Sequence, residues 1–268
     1  MSVTSFGFKA RVLSQSALLA YKGTFTWLEP KVYVSMKFIT PLIDMAYFAF
    51  LGKFILGDEG MRYAALGNAV LHVAVNGVMG VTISVGSERW WGTLPALLVT
   101  PANRFYIFIG KAFMHILDGM LSVVIALGYA SFLFGVNFSQ ADFKALAVTI
   151  ALTSVAVIGY GLLMGSYALI TQQVGAIFNA AFFALMLISG ANFPVSQLPT
   201  WIQPISYAIP LTYGIEATRQ AVSGANLTTV APLLGLEALT GAGMLLFGYL
   251  LFRYFETVAR KKGTIDVT

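Results

Sequence analysis

The sequence predicts an all-α, polytopic membrane protein. Three observations predict it. Hydrophobic residues fill 58% of the 268 positions and charged residues only 10%, whereas a soluble domain averages about 25% charged residues. The apolar residues gather into runs of about 20 or more, the length that carries a helix across a bilayer. Between the runs lie short polar interruptions rather than the turn-rich spacing of a soluble fold. The net charge of +5 marks basic loops against anionic lipid rather than a nucleic-acid surface. There is no cysteine, which excludes disulfides, thiol nucleophiles and Cys-ligated metals.

Residues 1–33 mix bases with aromatics: Phe6, Phe8, Lys9, Arg11, Tyr21, Lys22, Phe25, Trp27 and Lys31. The apolar run from Val12 to Ala20 is too short to span, so an amphipathic helix lying in the interface is expected, with bases toward lipid phosphates and rings in the lipid. No basic-then-apolar leader with a small-residue cleavage site is present, and the first span is expected to act as its own insertion signal.

The transmembrane region is placed at 34–252 with six spans. Span one covers about Val34 to Leu56 and contains Pro41 and Asp44. The turn Gly57-Asp58-Glu59-Gly60 leads to span two, about Met61 to Ser84. Its Asn68, His72 and Asn76 recur every fourth residue, which sets them on one face turned toward other helices. A polar elbow, 85–104, follows. Span three covers about Phe105 to Phe134 and span four about Phe143 to Ile170, where Gly159, Gly161 and Gly165 permit close packing. Span five covers about Val174 to Gly190. Pro194, Pro199, Pro204 and Pro210 then punctuate an apolar, aromatic stretch. A continuous spanning helix does not carry prolines at that density. Two half-helices dipping into the membrane do, provided protein packs around their ends, so a re-entrant segment is placed at 191–222. Span six covers about Pro232 to Phe252, and 253–268 is a basic tail.

With six spans, twelve Lys and Arg residues fall on the side of the termini and the elbow, and four (Lys53, Arg62, Lys144, Arg219) on the other. The positive-inside rule makes both termini and the elbow cytoplasmic and the re-entrant segment extracytoplasmic, in the cell inner (plasma) membrane. No internal repeat argues for the inverted-repeat secondary transporters.

The intramembrane ionisable residues are Asp44, His72, His115, Asp118 and Glu237. Lys111, His115 and Asp118 share a helix face. That spacing suits a proton relay, but the preferred reading is that Lys111 snorkels to the interface while His115 and Asp118 satisfy each other. Glu216 and Arg219, three apart, suit a headgroup clamp, a locked gate or an ordinary interfacial ion pair. No Gly-x-Ser-x-Gly, His-Glu-x-x-His or Walker sequence occurs. The chain is therefore not expected to be an enzyme or to hold a metal, and energy must enter from outside.

The elbow reads Glu88-Arg89-Trp90-Trp91-Gly92-Thr93-Leu94, then Leu97-Leu98-x-Thr100-Pro101, with Gly110-Lys111 opening the next span. These residues resemble the permease subunits of type-2 ABC exporters, the ABC-2 family. The segment Phe193-Pro194, Leu198-Pro199-x-Trp201, Pro204, then Pro210-Leu211-Thr212-Tyr213 with Glu216 and Arg219 is similar to that family's stretch between spans five and six. One departure is Pro95, where the family usually has an acidic residue after Gly-Thr-Leu. A proline in the first turn of a helix capped by Thr93 costs little, but a salt bridge at that position is lost, leaving Glu88 and Arg89 for the pairing.

The resemblance implies a permease that pairs with a second permease, as homodimer or heterodimer, and with two cytoplasmic ABC ATPase subunits. ATP and Mg would sit on those subunits and none on this chain. The elbow would dock in the ATPase and transmit its closure, and the half-helices would form the outer gate. A drug-, lipid- or peptide-like substrate is expected, with a path lined by Phe178, Asn179, Phe182, Phe183, Asn192 and Tyr207. The alternatives are a lipid-linked polysaccharide exporter, a proton-coupled secondary transporter using His115, Asp118 and Glu237, and a non-transporting membrane scaffold.

Overall fold

A computed structural model describes residues 11–19, 22, 29–90, 92–93, 104–167, 171 and 173–262, with the backbone alone at 83–90, 104–106, 108–109, 112 and 259–262. The described residues are helical, with no strand among them. The helices are α1 (11–19), α2 (Pro30–Trp90), α3 (Arg104–Phe132), α4 (Phe143–Tyr167), α5 (Val174–Ile188), α6 (Gln203–Tyr207), α7 (Pro210–Val222) and α8 (Leu227–Lys262), with a 3-10 turn at Val195–Gln197.

Four stretches are long and apolar enough to cross a membrane: Pro30–Thr82, Phe113–Phe132, Phe143–Tyr167 and Leu227–Val258. The first is not one rod. Gly57 breaks the helical dihedrals at φ 67°, ψ −152°, a backbone state open to glycine and strained for other residues. The Lys37 Nζ reaches Asn76 Oδ1 at 3.5 Å, although 39 residues of straight helix would hold them about 58 Å apart. α2 is therefore a hairpin of two antiparallel helices. Its arms touch backbone to backbone near the bend, where a Cβ on Gly52 would lie 2.4 Å from the Gly60 oxygen. The Lys53–Asp58 pair at 3.3 Å closes the bend, in the turn expected at residues 57–60.

α4 is the central post. Small and hydroxylated side chains dominate its buried face, among them Thr149, Thr153, Ser154, Gly159, Gly161 and Gly165. Their hydroxyls return to the helix's own carbonyls, as Thr149 to Ala145 and Thr153 to Thr149, both at 2.8 Å. This lets polar side chains sit inside the bundle without unmet donors. A Cβ on Gly159 would lie 2.5 Å from the Leu245 nitrogen, so the glycine is what allows α4 and α8 to pack at backbone distance. α2 packs along α3 and α4, α7 wedges between α4 and α8, and α5 leans on α2.

Two features differ from the expected spans. α5 has 15 residues, about 22 Å of helix, short of the roughly 30 Å hydrocarbon core. α8 starts at Leu227 and runs unbroken to Lys262, so the apolar span and the basic tail share one helix, and Pro232 falls within its first two turns. The helix expected near the N-terminus forms at 11–19. It lies against the start of α3, where a Cβ on Gly110 would come 2.6 Å from the Leu13 oxygen.

Candidate functional site

Charged and polar groups gather at three places. The first lies between the first arm of α2, its second arm and α3. Lys37, only 8% exposed, bonds Asp118 at 2.6 Å and the Asp118 carbonyl at 2.8 Å. The Tyr33 hydroxyl donates to the same carboxylate. Asn76 donates to Ser122 at 3.0 Å, completing a polar seam across three helical segments. The strong partners of Asp118 are thus Lys37 and Tyr33 of the first arm of α2, in addition to the neighbouring His115 on its own helix. A helix-face argument compares residues on one helix, and the partner here is 81 positions away. Lys37 is buried within this seam.

The second place is the end of the bundle that carries the α2 bend. The four prolines sit where the chain stops being helical. Pro194 precedes the 3-10 turn, Pro199 lies between that turn and α6, Pro204 is in the first turn of α6, and Pro210 begins α7. Proline is pre-organised for a helix start, where its missing N–H costs nothing. The guanidinium of Arg219 folds back under this segment. It donates to the carbonyls of Gly190 at 3.0 Å, Ala191 at 2.9 Å and Tyr63 at 3.2 Å, and lies 3.5 Å from the centre of the Tyr63 ring. Glu216 instead accepts from Gln220 at 3.1 Å. The i, i+3 ion pair between Glu216 and Arg219 gives way to a stronger competitor, because the carbonyls beyond the end of α5 need donors. A cavity of about 350 Å³ lies here, lined in part by Pro194, Tyr207, Tyr213, Glu216 and Arg219. Tyr207 and Tyr213 pack as tilted rings with centroids 6.2 Å apart, and Trp201, 72% exposed, projects outward. The residues assigned from sequence to an outer gate thus share one end of the bundle.

The third place is a cavity of about 460 Å³ between both arms of α2 and α5. Asp44 and His72 face it, with Tyr47, Phe48, Phe182 and Phe183. Phe178 and Phe182 stack at 6.0 Å. Above it the Asn68 amide donates to Asn192 at 2.7 Å, tying α2 to the turn after α5. Of the residues assigned to a substrate path, Phe182 and Phe183 line this cavity and Tyr207 lines the other. Asn192 bridges, Phe178 packs behind, and Asn179 is exposed on α5. Asp44, halfway along the first arm of α2, joins them. Sequence had marked it as ionisable and gave it no role.

Of the elbow, Glu88, Arg89 and Trp90 continue the α2 helix in backbone. Gly92 turns the chain at φ 66° and Thr93 is exposed. Trp91, Leu94, Leu97, Leu98, Thr100 and Pro101 lie outside the described residues.

Among the described residues the chain is a helical bundle with four stretches apolar and long enough to cross a membrane and with cavities between its helices. Residues 16–222 match the model of the ABC-2 type transporter family, and the chain belongs to that family. It is similar to the Escherichia coli (strain K12) protein named "Probable multidrug ABC transporter permease YbhR", 29% identical over 201 residues, 72% of this chain and 52% of YbhR. It is also similar to "Capsule polysaccharide export inner-membrane protein BexB" of Haemophilus influenzae, 25% identical over 222 residues, 82% of each chain. A third relative is "Linearmycin resistance permease protein LnrN" of Bacillus subtilis (strain 168), 24% identical over 173 residues, 64% of this chain and 44% of LnrN. The chain spans about half the length of YbhR.

Proposed function

We propose that this chain is the membrane subunit of an ATP-driven exporter and forms the path for a hydrophobic or amphipathic substrate. The observation that carries the reading is the family match over residues 16–222 in a chain without any Walker sequence. Energy must then arrive from cytoplasmic ABC ATPase subunits, which bind ATP and Mg, while this chain catalyses nothing. The chain sits in the inner membrane with six spans, α5 serving as the fifth, and both termini cytoplasmic, as the distribution of Lys and Arg requires. Residues 1–33 form the interface region, 34–252 the membrane domain, and 253–268 the cytoplasmic tail.

In this reading the elbow, 85–104, is the inlet for force. α2 stays helical beyond Thr82 to Trp90, so a push on Glu88 and Arg89 travels along a stiff rod into the arm that carries His72 and Asn68. α6 and α7, held by Arg219, form the extracytoplasmic gate at 191–222. A second permease covers the face on which the Asp44 cavity opens. A drug- or lipid-like substrate suits four rings around one carboxylate better than a polysaccharide, which needs a ladder of hydrogen-bonding groups. The polysaccharide reading draws on BexB, whose match covers 82% of both chains. The proton-coupled alternative fares worse, since Asp118 faces α2 while Glu237 packs against Gly214 and Thr153 on the far side of α4.

The test is co-purification. Tagged permease should bring down an ABC ATPase, and ATP-dependent export should need both. Glu88→Lys with Arg89→Glu should uncouple export while the bundle stays folded. Export that survives deletion of residues 90–98 would end the coupling role of the elbow.

A further inference from the structure

The cavity between α2 and α5 contains a carboxylate that no described residue answers. Asp44 has no hydrogen-bond or ion-pair partner among the described residues. It lies halfway along an apolar helix, where an unpaired carboxylate is costly and marks function. Two buried cations of the bundle are committed elsewhere: Lys37, two helical turns along α2 from Asp44, is held by Asp118, and Arg219 is held by three backbone carbonyls. His72, on the facing arm, also lines the cavity. The rest of the wall is four aromatic rings with Asn68, Leu71, Val75 and Met186. Tyr47, Phe48, Phe182 and Phe183 line the same cavity as the carboxylate, and the volume of about 460 Å³ falls within the range of sites for drug-sized ligands. Tyr47 and Phe183 are 67% and 59% exposed, so the cavity opens sideways, on a face that no described helix covers.

We propose that this cavity binds an amphipathic organic cation. Asp44 faces the onium centre, the ring faces add cation–π attraction that grows as water is excluded, and the apolar groups fill the remaining volume. A neutral ligand of the same shape leaves the carboxylate unanswered, and an anion is repelled by it. This rests on the exporter reading and narrows its substrate to one charge class. An ammonium group reaches this depth from a soluble amphiphile or from an aminolipid, and the chemistry of recognition is the same for both.

The test compares tetraphenylphosphonium with tetraphenylborate, ions of similar shape and opposite charge. Binding to the purified permease is measured in dodecyl maltoside by equilibrium dialysis, without ATP or partner. The cation should bind about tenfold or more tighter than the anion. Asp44→Asn should abolish that preference, Asp44→Glu should keep it, and Phe182→Ala with Phe183→Ala should weaken both ions. Competition by added phosphatidylethanolamine assigns the site to a lipid amine, and its absence assigns the site to soluble amphiphiles. Equal binding of the two ions, or a preference untouched in Asp44→Asn, overturns the proposal. If the cation fails to bind while an ATPase still co-purifies, the cation site falls and the exporter reading stands. If no ATPase is found but Asp44-dependent binding is, the reverse holds.

Discussion

Two buried cations show how differently this bundle neutralises charge. Lys37 sits among continuous helices, whose backbone bonds are largely made, and its charge is answered by another side chain, with one helix carbonyl beside it. Asp118 does so across the α2–α3 interface at 2.6 Å. Arg219 sits where helices stop. α5 ends at Ile188 and the chain passes through Gly190 and Ala191 before the proline-rich segment. Carbonyls beyond a helix end have no intrahelical donor, and membrane depth offers little water to replace it. A guanidinium with five donors in a planar fork fills that need. One cation therefore joins helices, while the other completes a backbone. The difference predicts different consequences when each is lost.

The largest effect should come from breaking the ion pair on one side. Asp118→Ala leaves Lys37 charged and buried with only carbonyl and amide oxygens, and should lower stability by about 3–5 kcal/mol. Thermal unfolding of the detergent-solubilised protein, followed by size-exclusion chromatography, measures this. Lys37→Leu combined with Asp118→Leu should recover most of the loss, since an apolar pair of similar volume replaces a desolvated ionic one. A double variant no more stable than Asp118→Ala would mean the network does more than cancel charge.

Arg219→Leu should cost less, about 2–3 kcal/mol, the scale of charged hydrogen bonds left unmade. Its damage should be local. Hydrogen exchange should accelerate over 189–222 and leave α3 and α4 protected. Arg219→Lys should recover little, because an ammonium neither forks to three carbonyls nor stacks flat on Tyr63. Gly67→Ala sharpens the point without touching a charge. Its Cβ would lie 2.0 Å from the Ala191 oxygen and 2.6 Å from the Arg219 Nη2, so it should reproduce part of the loosening at about 1–3 kcal/mol. Acceleration spread evenly over the bundle in any of these variants would erase the distinction between a joint and a backbone cap.

The sequence carried the helical runs, the prolines at helix starts and the stripe of Asn68, His72 and Asn76, because each is a statement about neighbours along one chain segment. The break at residues 57–60 was equally legible, since a Gly-Asp-Glu-Gly turn between two apolar runs has few other readings. Partners across helices were not legible. Spacing put Asp118 with His115 and Lys111, and Arg219 with Glu216, since a periodic pattern offers only same-helix partners. The acceptors of Arg219 are backbone carbonyls, which leave no mark in the residue types. Asp44 stood out as a carboxylate within a span, but the rings around it come from α5 as well as α2 and converge only in three dimensions.

Glu237 supplies the third term of the comparison. It is 0% exposed on α8, and neither carboxyl oxygen has a hydrogen-bond partner among the described residues. The neighbouring Thr153 hydroxyl donates to Thr149 instead, and Gly214 of α7 presses close, with its ideal Cβ 2.5 Å from Oε1. Where Lys37 has a counter-charge and Arg219 has carbonyls, Glu237 is buried at a desolvation cost with only the neighbouring Thr153 hydroxyl to set against it. Glu237→Met, of similar length, should therefore leave stability unchanged or raise it by up to about 2 kcal/mol. That would be the smallest effect of the set and the only one of opposite sign. The same unfolding measurement reads it. A loss above about 1 kcal/mol would place Glu237 with the joined cations as a group the fold depends on.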